Sequence, residues 1–147
     1  MSDKCENNVV RELELFRTTV VYLYCDWTRF RRNYVRVFGE EPKKSETIPI
    51  GHTSFGPVNG THVAIVWLCK RKNRLDAIPT LAHELSHVAD YVSNLCGIND
   101  KSGEVKAYFI ESEMNAVLPK MFGLSMTQKQ YDKVIKSAIS EVEETEE

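Results

Sequence analysis

The chain has 147 residues, of which 42% are hydrophobic and 27% are charged, and its formal net charge is -2. This length and composition fit one globular domain with a real core and leave too little chain for two ordinary domains. The small net charge excludes a general electrostatic attraction to nucleic acid, and the absence of a long apolar run excludes a predicted transmembrane helix.

The N-terminus and the cysteines predict the compartment. Residues 1–4 lead into a polar segment rather than an apolar signal sequence, so we expect a cytoplasmic protein. Cys5, Cys25, Cys69 and Cys96 are scattered without a C-x-x-C pair, which favours reduced thiols. No membrane or nucleic-acid partner is expected.

The first third of the chain predicts a strand followed by a helix. Residues 9–16 fit either a short helix or a strand, whereas residues 18–24 are rich in β-branched and aromatic residues and favour a buried strand. Asp26 can cap the helix that follows, and Gly39 can end it. The other face of this helix carries arginines that we interpret as a solvated surface rather than a nucleic-acid patch, namely Arg29, Arg31, Arg32 and Arg36.

Residues 47–69 predict a β-hairpin, in which residues 61–69 give the strongest strand pattern of the chain. An amphipathic helix follows, with Thr80 as its predicted N-cap and Gly97 as its C-cap. Inside that helix lies an H-E-x-x-H pattern, at residues 83–87.

The H-E-x-x-H pattern predicts a metal site because of its spacing. Residues four apart on a helix lie about 40° apart around the axis and roughly 6 Å apart along it. His83 and His87 can therefore reach one metal ion from the same face. Glu84 would lie beside the ion, where it could take a proton from a metal-bound water. The alternative is a pair of histidines without any ligand role.

Two more helices are predicted, at residues 104–118 before Pro119 and at residues 127–142 with Ser125 or Thr127 as the cap. The acidic residues 141–147 are predicted to be a disordered tail, which leaves residues 1–140 as a single domain. The expected fold is α+β, with a small mixed or antiparallel sheet of about three strands packed on helices.

A catalytic zinc ion usually takes three protein ligands, so a third ligand is needed besides the two histidines. Glu104 is the preferred choice, because a following helix that packs antiparallel would bring its first turn back to the motif. Asp90, three residues after His87, is an alternative ligand, or it accepts a hydrogen bond from a ligand histidine and so fixes its tautomer. Glu111 and Glu113 lie further along the helix that begins at Glu104, and Glu111 is the reserve choice for the ligand.

Three parts of the sequence together resemble the minimal gluzincin-type zinc metallopeptidases. They are the strand at residues 65–68, the segment Leu81-Ala82-His83-Glu84-Leu85-Ser86-His87, and Glu104 with Ala107-Tyr108. More narrowly, they are similar to small phage-encoded metallopeptidases and to the ImmA/IrrE-type peptidases. This resemblance implies one Zn2+ ion held by His83, His87 and Glu104, with Glu84 as general base. Tyr108 departs from the ImmA-type pattern, which more often has Asn at that position.

The predicted reaction is peptide-bond hydrolysis of a peptide or protein substrate that pairs, extended, with an exposed edge strand. Residues 61–69 are the candidate edge. Several side chains could stabilise the oxyanion, and they are His52, His62, Tyr91 and Tyr108. The alternative function is a non-catalytic protein-binding module, directed to a phage or host partner, that retains a zinc site.

Overall fold

The computed structural model describes residues 8–42, 50–99 and 103–146. This part of the chain contains four strands and four α-helices, with two short 3-10 turns between them. The strands are β1 (Val9–Leu13), β2 (Thr18–Cys25), β3 (Gly51–Val58) and β4 (Thr61–Cys69). The helices are α1 (Trp27–Phe38), α2 (Ala77–Cys96), α3 (Glu104–Phe122) and α4 (Gln128–Glu146).

The strands form one mixed sheet in the order β1-β2-β4-β3. β1 runs antiparallel to β2, β2 runs parallel to β4, and β4 runs antiparallel to β3. The predicted α+β class with a mixed sheet is confirmed. The sheet has four strands rather than about three, because the ambiguous residues at the N-terminus form β1.

The prediction that residues 61–69 form the exposed edge strand is wrong. β4 lies inside the sheet, hydrogen-bonded to β2 on one side and to β3 on the other. The edges of the sheet formed by the described residues are β1 and β3. The apolar character of β4 is explained by this position, since residues 64–68 are buried from both faces.

Each face of the sheet packs on different helices. Alternate residues such as Val66 and Leu68 join a core that includes Leu85 of α2 and Met114 of α3. Ile65 and Trp67, which point the other way along β4, pack with Phe30 of α1. Helices α2, α3 and α4 therefore cover one face, and α1 covers the other.

Local capping signals fix α1 as predicted. The Asp26 side chain accepts a hydrogen bond of 2.9 Å from the Arg29 N–H, and Gly39 ends the helix at a φ of 74°. The start of α2 differs from its prediction. α2 begins at Ala77, so that Thr80 is a buried residue within the helix rather than its N-cap. Pro79 permits this start, because a proline in the first turn of a helix removes no intrahelical hydrogen bond.

The last two helices are longer than predicted. α3 continues through Pro119 and ends at Phe122. The N-terminus of α4 is closed by a reciprocal pair, in which Gln130 N–H donates to the Thr127 hydroxyl over 3.3 Å and Thr127 N–H donates to the Gln130 side chain over 2.8 Å. Thr127 as the cap is thus confirmed. The backbone of α4 is helical as far as Glu146, and the division of the chain at residue 140 stays a prediction.

The cysteines only partly follow the prediction of reduced thiols. Cys69 and Cys96 are free. Cys25 is disulfide-bonded, which contradicts the prediction for that residue. The prediction for Cys5 lies outside the described residues. In the described part of the chain, no helix combines the length and the apolar character that a membrane crossing needs.

Candidate metal centre

Helix α2 brings three potential metal ligands together beside the edge strand β3. One ligand atom from each of His83, Glu84 and His87 lies within 4.8 Å of the others. The two imidazole rings have their centroids 5.1 Å apart and meet edge to face, at an interplanar angle of 83°. Two imidazoles and a carboxylate are ligands that divalent transition metals accept. The group could therefore bind a metal ion, as the spacing of the motif predicts.

The packing of α2 explains why the histidines remain accessible. Leu81, Leu85 and Val88 form a stripe at helical spacing that is buried in the core. His83 and His87 lie on the other side of the helix from that stripe and are only half-buried. The rigid, buried side of the helix thus orients the pair, while their side of the helix stays open to a ligand.

The carboxylate of Glu84 is held by the edge strand β3. The Thr53 hydroxyl lies 3.1 Å from Glu84 Oε1 and 3.4 Å from the Glu84 backbone carbonyl oxygen, and it can donate to either. Glu84 is only 6% exposed. This burial raises the pKa of Glu84, although the His83 charge and the hydrogen bond from Thr53 act to lower the pKa.

Gly51 allows β3 to approach α2 this closely. A Cβ atom at Gly51 would lie 2.6 Å from Thr80 Cγ2 and 3.4 Å from Glu84 Cγ. Any side chain there would push the strand away from the helix. Sequence reasoning missed the roles of Thr53 and Gly51, because nothing in a strand pattern indicates which helix residue it will face.

A cleft of about 500 Å3 lies between β3 and α2. Its walls are three residues of β3 and five of α2, which are His52, Thr53, Phe55, Glu84, His87, Asp90, Tyr91 and Asn94. Burial lowers the pKa of His52, which favours its neutral form. The cleft therefore contains Glu84 and one of the two histidines, and it is open along the edge of the sheet.

Among the described residues, no strand pairs with the side of β3 that faces this cleft. The Cys69 N–H donates to the Ile50 carbonyl over 2.9 Å, which fixes the alternation of hydrogen bonds between β3 and β4. By that alternation, the N–H and C=O groups of Gly51, Thr53 and Phe55 point away from β4. These residues present a short open edge on the same side as Glu84.

The structure brings only some of the predicted site residues to the cleft. Asp90 lines it, but its carboxylate accepts a hydrogen bond from Lys106 Nζ at 2.9 Å. Glu104, Glu111 and Tyr108 line a different groove, between α3 and α4, and Tyr108 is 77% exposed. Among the described residues, none of these three joins the close group of His83, Glu84 and His87. The third ligand therefore stays a prediction.

Two substitutions distinguish the acidic candidates. If Asp90 is the third ligand or an outer partner of His87, as the sequence predicts, Asp90→Asn should weaken zinc binding at least about tenfold, since Asp90 and His87 line the same cleft. Glu104→Gln should change the affinity less than about twofold, because Glu104 lines the other groove. Competition with a chromophoric chelator measures both affinities. The reverse order would make Glu104 the third ligand, as the resemblance implies.

Comparison of the chain with known protein families, with curated proteins and with solved structures finds no match. The resemblance to gluzincin-type peptidases therefore rests on the motif residues alone. A fold by itself does not determine a function, so the chemistry of the cleft carries the functional inference.

Proposed function

We propose that the protein is a zinc-dependent peptide hydrolase in which His83 and His87 bind the metal and Glu84 is the general base. One observation carries this proposal. A buried carboxylate lies beside two imidazoles at metal-binding distance, in a cleft bordered by an open strand edge. A metal, a base and a place for an extended peptide are the parts that such a hydrolase needs.

Zinc fits this group of ligands better than magnesium or calcium does. Zinc accepts imidazole nitrogen and carboxylate oxygen at low coordination number, whereas magnesium and calcium prefer shells of oxygen ligands. A zinc ion bound here would supply a Lewis acid and lower the pKa of water towards roughly 7. His83 and His87 would hold it in the neutral imidazole form, each through one ring nitrogen.

Glu84 moves the proton in the proposed reaction. The carboxylate accepts a proton from the attacking water and then delivers it to the nitrogen of the leaving amine. Its burial limits exchange of that proton with bulk solvent, and the hydrogen bond with Thr53 fixes one carboxylate oxygen. Thr53 is thus a positioning residue, because it acts through Glu84 rather than on the substrate.

The substrate would be an extended peptide paired with β3. The outward N–H and C=O groups of Gly51, Thr53 and Phe55 can add a strand without disturbing the hydrogen bonds to β4. Main-chain pairing of this kind binds a peptide irrespective of most side chains. It also places the peptide carbonyl groups along the cleft wall that holds Glu84.

A second function is favoured by one feature of the same group. The Glu84 carboxylate is close enough to both imidazoles to be a metal ligand itself. In that arrangement no base would remain, and the protein would be a non-catalytic protein-binding module with a structural metal site. Such a module would use the same open edge of β3 to bind its partner.

Metal analysis combined with a cleavage assay separates the two functions. For a hydrolase we expect one zinc ion per chain and cleavage of denatured proteins, which a chelator abolishes and added zinc restores. The protein after chelation and zinc readdition is its own control for irreversible loss of structure. Stoichiometric metal without cleavage of any protein in a broad denatured panel would contradict the hydrolase and support the binding module.

A further inference from the structure

We infer that Phe55 and Tyr91 form a subsite for a large apolar side chain, preferably aromatic, about two residues from the cleaved bond. This inference deepens the proposed function and rests on it. The rings of the two residues stack with their centroids 4.2 Å apart and their planes 14° apart. Both line the same cleft as Glu84 and His87.

The position of the subsite follows from paired contacts between β3 and α2. Thr53 contacts Glu84, and two residues further along the strand Phe55 contacts Tyr91. An extended peptide paired with β3 rises about 3.3 Å per residue, as the strand itself does. The two residues from Thr53 to Phe55 therefore correspond to two substrate residues. A substrate strand paired with β3 would therefore place one side chain beside Phe55, on the α2 face.

The aromatic wall is rigid before any substrate binds. The Tyr91 hydroxyl is 2.8 Å from His62 Nδ1, and the His62 ring meets Tyr91 edge to face with the centroids 5.9 Å apart. Tyr91 is thus fixed by Phe55 on its face and by His62 at its hydroxyl. A preorganised flat surface loses little conformational entropy on binding, which favours a specific subsite over an adaptable one.

The charges around the wall favour an apolar side chain over a cationic one. Asp90 is the acidic residue next to Tyr91, and both of its carboxylate oxygens contact Lys106 Nζ, at 2.9 Å and 3.2 Å. That carboxylate is therefore already neutralised and offers little to a substrate lysine or arginine. Asn94, the remaining polar residue beyond Tyr91, is uncharged.

A peptide series tests the subsite. Each peptide has one cleavable bond, and the three positions on either side of it are varied in turn among Phe, Leu, Ala, Lys and Glu. We expect one position, two residues from the bond, at which Phe raises kcat/KM at least about tenfold over Ala and Lys. Phe55→Ala should reduce that ratio below about threefold, because the flat wall of the subsite is removed.

Two further variants and a binding measurement complete the design. Phe55→Leu keeps an apolar wall without a flat ring, so it should shift the preference from Phe to Leu even if Phe55→Ala fails to fold. Phe16→Ala, which truncates a ring of the Phe16–Phe109 pair outside the cleft, is the matched control and should keep the preference. Peptide binding to zinc-loaded Glu84→Gln, measured by fluorescence anisotropy, should show the same order as kcat/KM.

Results that overturn the aromatic subsite differ from results that overturn the proposed hydrolase. Cleavage by the wild type with no side-chain preference, or with a preference for Lys, overturns the subsite and leaves the hydrolase intact. A preference for Phe that survives Phe55→Ala also overturns it. No cleavage of any peptide overturns the hydrolase, and the anisotropy series then decides whether Phe55 and Tyr91 select aromatic ligands.

Discussion

Replacing Glu84 by Gln should lower the rate of peptide hydrolysis about 10³-fold, within the range that a positioned general base contributes. Gln has nearly the same shape as Glu and can accept the hydrogen bond that Thr53 donates, so the fold should persist. An amide cannot accept the proton of the attacking water, however. We therefore expect kcat to fall and the substrate affinity to change little.

Zinc binding by the same variant distinguishes the two proposed functions. If Glu84 is the base, Glu84→Gln should bind zinc with nearly the wild-type affinity, because the two imidazoles are unchanged. If Glu84 is a ligand, the affinity should fall steeply, since a neutral amide oxygen is a poor replacement for a carboxylate. A chelator competition titration on the variant gives this affinity directly.

The matched control for Glu84→Gln is Glu12→Gln. Glu12 is an exposed carboxylate on β1, at the opposite edge of the sheet from the cleft. Its substitution removes the same charge and should leave both hydrolysis and zinc affinity unchanged. Undiminished hydrolysis by Glu84→Gln in a preparation free of contaminating peptidases would remove Glu84 from the mechanism.

Local sequence signals predicted the four helices and the caps of α1 and α4, but not the start of α2 or the ends of α3 and α4. The signals that succeeded depend on neighbours in the chain. Asp26 and Gly39 act on the residues beside them, and the H-E-x-x-H spacing is a property of a single helix. Thr127 and Gln130 close the start of α4 in the same local way. A sequence pattern of this kind contains information only about interactions between residues within about four positions of each other.

The edge of the sheet could not be predicted in this way. A strong apolar strand pattern indicates burial, and β4 is buried because β2 pairs with it in parallel across more than forty residues of intervening chain. The true cleft wall, β3, contains Gly51 and Pro57 and gives a weak strand pattern. The assignment of Glu104 depended on how α3 docks, which is a packing angle that no local pattern specifies.

Glu113 gives the largest expected effect on stability. Glu113 lies on α3, is only 2% exposed and does not line the cleft. It accepts a hydrogen bond of 2.8 Å from the Tyr22 hydroxyl and forms a 3.0 Å ion pair with Arg11 Nη2. Three elements, β1, β2 and α3, are joined by this group. The sequence could not indicate it, because Arg11 and Glu113 are 102 residues apart.

The surroundings of Glu113 raise the pKa values of its two partners, Tyr22 and Arg11. Burial raises the pKa of Tyr22 well above its usual value, and the neighbouring negative charge of Glu113 raises it further. The hydrogen bond to Glu113 raises the pKa of Arg11. The Tyr22 hydroxyl therefore stays protonated as a donor, and Arg11 stays charged, so that both partners stabilise the buried carboxylate.

Removing Glu113 alone should be costly, whereas removing the whole group should not. We expect Glu113→Ala to lower the free energy of unfolding by about 3–5 kcal/mol, because the buried Tyr22 hydroxyl and the partly buried Arg11 lose their partner. Urea unfolding at neutral pH measures the change. The exposed control Glu12→Ala should cost less than about 0.5 kcal/mol.

The triple variant Arg11→Met, Tyr22→Phe and Glu113→Met tests the physical cause. It leaves none of these three positions with an unpaired polar group, so most of the stability lost in Glu113→Ala should return. If the triple variant is instead as unstable as Glu113→Ala, the loss comes from altered packing of α3 rather than from unpaired charge. Because Glu113 lies outside the cleft, any folded fraction of these variants should still bind metal through His83 and His87. Glu113 and Glu84 are the two buried carboxylates of the described residues. We therefore expect separate roles for them, the first in stability and the second in the proposed reaction.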